Sequence, residues 1–386
     1  MFFGKDRKKN STVSVKLDHS RTILVTGKRG SGKSYALGVL VEELFGSNGN
    51  PGILDNIILV VDPLGNHWTL AQQNPQVSSE WDVKPKALPV KVLVPGEPVE
   101  RYGEDVYKEM KKRGVVFQRL QLNPSDISPS GWCDLFDLNI SDPIGIVMFR
   151  AVQNYNKEKK KFTVKDLIDA VTEDERAMDR TKEALLNRLE MADAWDIFAH
   201  QYQKAWDQID SKYINVLDLS VLEPGKSALA NLALEVLLKD LFTKRIKDKR
   251  REFLGLSNRK EKVWLIIDEA QRFCPNDRQT LSKDILVSWV KEGRQPGLSA
   301  VFATQRPSAL ATDIITQADL ILSLRLTNKT DTSALNKLSQ SYLGADIEVY
   351  LFALKEPGQA LMIDDEEEKL TIFRVRPRQT LHGGAE

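Results

Sequence analysis

Eight residues, Gly27-Lys28-Arg29-Gly30-Ser31-Gly32-Lys33-Ser34, constrain this chain more than any other stretch. They read G-x-x-x-x-G-K-S, the pattern of a phosphate-binding (Walker A) loop. The apolar run Ile23-Leu24-Val25 precedes them and Tyr35 to Val41 can continue as a helix, so the loop stands between a buried strand and a helix start. Backbone N–H groups of a glycine-rich loop can converge on phosphate oxygens because no Cβ keeps them apart. The helix start adds unpaired donors and a partial positive charge. In such a loop the residues from Gly27 to Tyr35 would contact a nucleotide. Lys33 would neutralise the β- and γ-phosphates and Ser34 would ligate Mg2+, so ATP and Mg2+ are the expected cofactors.

Composition narrows the setting. The 386 residues suffice for one large α/β domain with insertions, or for two domains. A hydrophobic fraction of 41% suits a folded core. No apolar run reaches the ~18 residues of a membrane span, so the chain is expected to be cytoplasmic with no membrane partner. Lys and Arg (55) balance Asp and Glu (54), which excludes a globally basic nucleic-acid binder but not a protein touching DNA through a few loops. Cys133 and Cys274 are far apart and lack metal-ligand spacing, pointing to a reducing compartment and away from zinc or disulfides.

Apolar runs bounded by turn residues alternate with helical patterns, as in a parallel sheet covered by helices. Strands are predicted at Thr22–Thr26, Asn56–Val61, Val90–Val94, Ile214–Leu219, Val263–Ile267, Ser299–Ala303 and Leu320–Leu324. From Asp142 to Lys212 strand signals stop. There Trp195, Phe198, Tyr202, Trp206 and Ile209 recur at spacings of three and four, which predicts one apolar helix face used for packing. Four segments result: 1–139 and 213–372 as the two parts of an ATPase core, 140–212 as a helical insertion, and 373–386 as a C-terminal arm. Basic clusters at Lys8-Lys9, Lys111-Lys112-Arg113, Lys157 to Lys161 and Lys244 to Arg251 fit either a phosphate backbone or a solvated helix end. Asp364-Asp365-Glu366-Glu367-Glu368 is expected to be a solvated turn between two C-terminal strands.

A glycine loop alone binds nucleotide without saying whether it is hydrolysed. The run Val263 to Ile267 is apolar throughout, and Asp268 and Glu269 emerge at its C-terminal end, where ligands of open α/β sheets bind. Asp268 is placed to hold Mg2+, and Glu269 to accept a proton from an attacking water. Ser299 to Ala303 forms another buried strand ending at Gln305, whose amide can sense the γ-phosphate and orient water. Taken singly, Asp268-Glu269 also fits a strand end with a helix cap, and Gln305 a loop cap. The glycine loop upstream favours the catalytic reading.

These stretches together resemble the HerA–FtsK superfamily of hexameric DNA-translocating ATPases, and its HerA branch more closely. The likeness lies in GKRGSGKS, in VWLIIDEAQRFCP (Val263–Pro275), in VKEGRQPGLSAVFATQRPSAL (Val290–Leu310), in IILVVDPLGNHW and INVLDLS, and in the closing segment from Arg374 to Gly384. It covers most of the chain except the helical insertion. The resemblance implies a RecA-like α/β core with a mainly parallel sheet and an additional catalytic glutamate. The strand ending at Gln305 would lie between the Walker A and Walker B strands. It also implies a homohexameric ring acting on double-stranded DNA, with an arginine reaching each site from a neighbour. Arg294 matches the family's GR-x-x-G block and Arg21 a position ahead of the Walker A strand. Arg374, Arg376 and Arg378 could also reach a neighbour through the arm. HerA proteins carry a β-barrel ahead of the Walker A loop. With 26 residues before Gly27, none is expected here, which weakens docking to a nuclease partner and favours a packaging or mobilisation role. Two functions remain open: a DNA-translocating motor, and an ATP-gated ring that scaffolds an effector without moving DNA.

Overall fold

The computed structural model describes residues 2–6, 11–16, 19–46, 55–77, 80–81, 83–158, 160–223, 227–257, 261–339 and 347–384. Lys8, Lys9 and Lys159, from two of the basic clusters, lie outside the described residues. Two short strands, β1 (Phe2–Asp6) and β2 (Thr12–Ser14), precede β3 (Thr22–Thr26), the glycine loop and helix α1 (Lys33–Gly46). The chain continues through β4 (Asp55–Asp62), β5 (Val90–Pro95), α2 (Pro98–Tyr102), α3 (Glu104–Lys112) and β6 (Val115–Leu120). Helices α4 (Pro129–Leu135), α5 (Pro143–Lys157), α6 (Val164–Thr172) and α7 (Asp179–Asp193) follow. Strands and helices then alternate: β7 (Ile214–Asp218), α8 (Ser227–Phe253), β8 (Glu261–Ile267), α9 (Lys283–Glu292), β9 (Leu298–Thr304), α10 (Thr312–Thr316) and β10 (Leu320–Ser323). After α11 (Lys329–Ser339) and α12 (Ile347–Phe352) the chain closes with the hairpin β11 (Gln359–Asp364) and β12 (Lys369–Val375).

Among the described residues the strands form one 12-stranded sheet in the order β2-β1-β12-β11-β10-β3-β9-β8-β4-β7-β5-β6. Pairs from β10 to β6 are parallel, and those from β10 back to β2 are antiparallel. The α/β class and the mainly parallel sheet are as expected. Every predicted strand is present, with ends differing by two residues at most. A strand covered on both faces is mostly apolar, and that near-continuous run is the signal that made these seven visible. In β3, Leu24 faces the layer containing α8 and α9, while Ile23 and Val25 face α1. Strand β9 lies between β3 and β8, so the C-terminal ends of all three are adjacent. No helix among the described residues is long and apolar enough to cross a membrane.

The stretch 195–209 corrects one expectation. Helix α7 ends at Asp193, Asp196 turns to φ 58°, and its carboxylate accepts the Glu97 N–H at 3.0 Å. Phe198 then bridges to Leu122, and one 3₁₀ turn covers Ala205–Gln208. Trp195, Phe198, Tyr202, Trp206 and Ile209 therefore share no single helix face. Phe198 and Ile209 are buried, with Phe198 on Trp132 at 5.3 Å between ring centroids, and Trp195 and Trp206 pack against the same core, whereas Tyr202 is exposed. Spacing alone cannot separate a helix from successive turns laid against a sheet edge.

Candidate active site

The glycine loop is tied to its neighbours by its backbone. The Gly27 N–H donates to the Thr304 carbonyl at 3.3 Å, and the Lys28 N–H to the Arg325 carbonyl at 2.9 Å. Gly30 and Gly32 have φ of 75° and 97°, a left-handed conformation that side chains with a Cβ resist. Arg29 and Gly30 are exposed at the loop tip, and Ser31 is buried. Ser31 Oγ and the nearby His67 Nε2 are buried without a hydrogen-bond partner. An orphaned hydroxyl inside a glycine loop at a helix N-terminus fits an anion with several oxygens.

At the end of β8 the two carboxylates take different roles. Lys33 Nζ is ion-paired with Asp268 and lies 3.1 Å from Glu269 Oε1, all three side chains being at most 10% exposed. Ser34 Oγ donates to Asp268 Oδ2 at 3.2 Å. A hydroxyl beside a carboxylate is an oxygen set of the kind Mg2+ accepts. Burial opposes the charge on Asp268, but the His67 ring and the Lys33 ammonium hold its carboxyl well below the usual carboxylate range. Glu269 adopts φ 49°, ψ 47°, a left-handed conformation rare for a residue with a Cβ, and its carboxylate meets Lys33 beside that of Asp268. Gln305 Nε2 donates to Glu269 Oε1 and Gln271 Nε2 to Glu269 Oε2, both at 2.7 Å. Thr304 Oγ1 donates in turn to Gln271 Oε1 at 2.7 Å.

Lys33, Ser34, Asp268, Glu269 and Gln305 thus meet at the ends of β3, β8 and β9. Tyr35 lies one residue beyond, with its hydroxyl accepting the Arg378 N–H at 2.8 Å. Three participants were not anticipated. Gln271 holds Glu269 and Thr304 holds Gln271; both lie in the blocks quoted above, but no local rule gives them that task. His67 lies 3.7 Å from Asp268 Oδ2. Its turn is built by Asp62 at the end of β4, whose carboxylate accepts the N–H groups of Leu64, Gly65 and His67 at 3.1, 2.9 and 2.7 Å. Burial works against protonation of the His67 ring, yet Asp62 and Asp268 raise its pKa above the ordinary value. An aspartate closing an apolar run and followed by Pro-Leu-Gly-Asn was the available signal.

The arginines stand elsewhere. Arg21 and Arg294 precede β3 and β9, at the opposite end of the sheet from the glycine loop. Arg294 is exposed, with its Nη2 3.9 Å from Glu366. Arg21 is buried, paired with Asp364 at 3.0 Å and with Glu366. Its guanidinium is thus engaged by two carboxylates of its own chain, which Arg294 is not. The acidic turn joins β11 to β12 with Asp365 to Glu368 exposed, as expected, while Asp364, the last residue of β11, is buried against Arg21. Arg376 and Arg378 are buried against Glu42 and Glu43 on α1 of the same chain, and of the arm's three arginines Arg374 is exposed.

Sheet order, glycine loop and paired carboxylates define a P-loop ATPase. The chain belongs to the family of the HerA helicase: the family described as helicase HerA, central domain, matches residues 3–241. A probable helicase of Methanocaldococcus jannaschii is 24% identical over 98% of this chain and 71% of its own length. The DNA double-strand break repair helicase HerA of Sulfurisphaera tokodaii is 27% identical over 71% of this chain and 57% of its own length. In fold the chain is similar to VirB4 of Thermoanaerobacter pseudethanolicus, with a TM-score of 0.64 at 15% identity, covering 97% of this chain and 96% of that one. It is also similar to the plasmid coupling protein TrwB, with a TM-score of 0.54 at 12% identity, covering 100% and 97%.

Proposed function

We propose that this ATPase is a DNA translocase that works as a homohexameric ring on double-stranded DNA. The supporting observation is the single network joining Lys33, Asp268, Glu269 and Gln305 across three strand ends. In this reading ATP takes the place of the carboxylates at Lys33, and the backbone N–H groups of Gly30 and of Gly32 to Ser34 hold its phosphate oxygens. Ser34 and Asp268 would hold Mg2+, which when bound neutralises charge on the β- and γ-phosphates. Glu269 accepts the proton of the attacking water and Gln305 orients that water, while Gln271 and Thr304 keep the Glu269 carboxylate aimed. Arg294 of an adjacent copy supplies the positive charge that the transition state lacks in a single chain.

The description of related HerA proteins as DNA double-strand break repair helicases supports DNA as the substrate. A cytoplasmic location and a nuclease or other effector docked on the ring are consistent with it. The test is the ATPase rate with duplex DNA, with single-stranded DNA and with none. Duplex is expected to stimulate most. Equal rates in all three remove translocation and favour the alternative, a ring whose ATP cycle regulates an effector. Mass measurement in solution with ATP is expected to give a hexamer, and a monomer at every concentration contradicts the ring.

A further inference from the structure

The hydrolytic network leaves unused a second set of side chains that meets the phosphate-loop helix from the other side. On α1, Tyr35, Gly38 and Glu42 stand at spacings of three and four and so form one stripe along the helix. The segment that follows β12 runs along this stripe toward the glycine loop. Glu42 is buried, and its carboxylate accepts from Arg376 Nη1 at 2.8 Å, from the Gln379 and Thr380 N–H groups at 3.1 and 2.9 Å, and from the Thr380 hydroxyl at 2.6 Å. Arg378 lays its guanidinium across Gly38, where a Cβ would stand 2.4 Å from Cζ. The His382 ring meets the Tyr35 ring edge-on, 5.5 Å between centroids. Beyond the helix the same segment bonds to the chain after β4: the Gln379 carbonyl accepts the Asn74 N–H at 2.9 Å and the Leu381 N–H donates to the Gln72 carbonyl at 2.9 Å.

One strap therefore touches both halves of the phosphate site. It grips the helix whose first turn carries Lys33 and Ser34, and the chain that continues from His67. Stability is a poor explanation for it. A buried ion pair gains little over apolar packing because desolvation offsets the attraction, whereas fixing register is its better-attested use. Gly38 sharpens the point: a glycine inside a helix costs about 1 kcal/mol relative to alanine, and here the missing Cβ is the space the guanidinium occupies.

We propose that Arg378 and Glu42 are positioning residues of the ATP site, setting where α1 aims its N-terminal donors and Lys33 relative to Asp268 and Glu269. The proposal rests on the ATPase reading above. Gly38→Ala pushes the guanidinium off the helix without altering the loop, and Arg378→Lys keeps the charge but loses the planar fork. Both are expected to lower kcat about tenfold, as a small misplacement near reacting atoms does. Affinity for a fluorescent ATP analogue is expected to change by less than about threefold, since the N–H cradle itself remains. Lys369→Ala, at an exposed cation of β12 just ahead of the strap, is the control and leaves both unchanged. A kcat within about twofold of the parent in Gly38→Ala and Arg378→Lys overturns the strap even where Tm falls, because a purely structural role moves Tm alone. If the parent chain itself binds no ATP analogue, the ATPase reading fails first and the strap with it.

Discussion

The two ends of the central strands carry charge in opposite ways. At the C-terminal ends Lys33, Asp268, Glu269, Gln271 and Gln305 are bonded to one another, so the site is closed on itself. At the N-terminal ends Arg21 is equally engaged, by Asp364 and Glu366, but the Arg294 side chain beside it is 78% exposed. The two arginines line one cleft with Gln317 and Asp319. A strand end that satisfies its own charges is suited to exchanging them for a small ligand. One that leaves a cation exposed has charge to offer a surface from outside. The two arginines that looked alike in sequence differ in that respect, and burial is what separates them.

Removing Arg294 tests the contrast most severely. Arg294→Ala is expected to lower ATP turnover ~10³-fold, the scale of a missing arginine finger, with Tm unchanged. Mixing these chains with Glu269→Gln chains should restore part of the rate, because some interfaces then pair an intact Glu269 with an intact Arg294. Normal turnover by Arg294→Ala chains alone would break the contrast. Glu269→Gln comes next. Turnover is expected to fall ~10²–10⁴-fold with ATP binding retained, as measured by equilibrium binding and steady-state rates.

Arg21 should behave in the reverse manner. Arg21→Ala leaves Asp364 buried and unpaired and is expected to cost about 3–5 kcal/mol of stability in denaturant titration, with kcat per folded molecule nearly unchanged. A large loss of kcat without loss of stability would favour Arg21 as the finger. The smallest effect concerns Asp319. Burial outweighs the pull of Arg21 and raises its carboxyl from 3.8 to about 6. The folded chain therefore keeps a proton that the unfolded chain releases. Its contribution to stability is complete below pH 3.8 and is lost as pH rises through about 6. Asp319→Asn is expected to raise Tm at pH 8 by about 1–2 °C and to leave it unchanged at pH 3.5.

What was legible in the sequence follows the same division. The parallel strands and the glycine loop announce themselves because burial on both faces and phosphate geometry each demand a restricted set of residues in a fixed order. Strand β6 (Val115–Leu120) escaped because it lies at the sheet edge and carries Gln118 and Arg119. The segment 195–209 imitated a helix. Lys33, Ser34, Asp268, Glu269 and Gln305 could be assembled from local motifs, since each sits where a strand ends. Gln271 and the strap could not, and for His67 the local signal marks its turn but not its approach to Asp268. Their meaning comes from neighbours remote in sequence, as when Glu42 receives donors from Arg376 to Thr380. Burial of an arginine cannot be inferred from its own residue type.

The placing of β3 has a consequence for how the chain is made. Its flanking partners are β9 (Leu298–Thr304) and β10 (Leu320–Ser323), so the strand ahead of the glycine loop emerges from the ribosome long before either exists. At ~5–20 residues per second that interval is tens of seconds, during which a strand with the apolar centre Ile23-Leu24-Val25 and two unpaired edges stands exposed. The interval is a hazard for misassembly at low temperature and high expression, and a window in which a holding chaperone has something to grip. Synthesis that stalls anywhere between α1 and β9 would leave the nucleotide-binding strand complete in sequence and without a sheet to join.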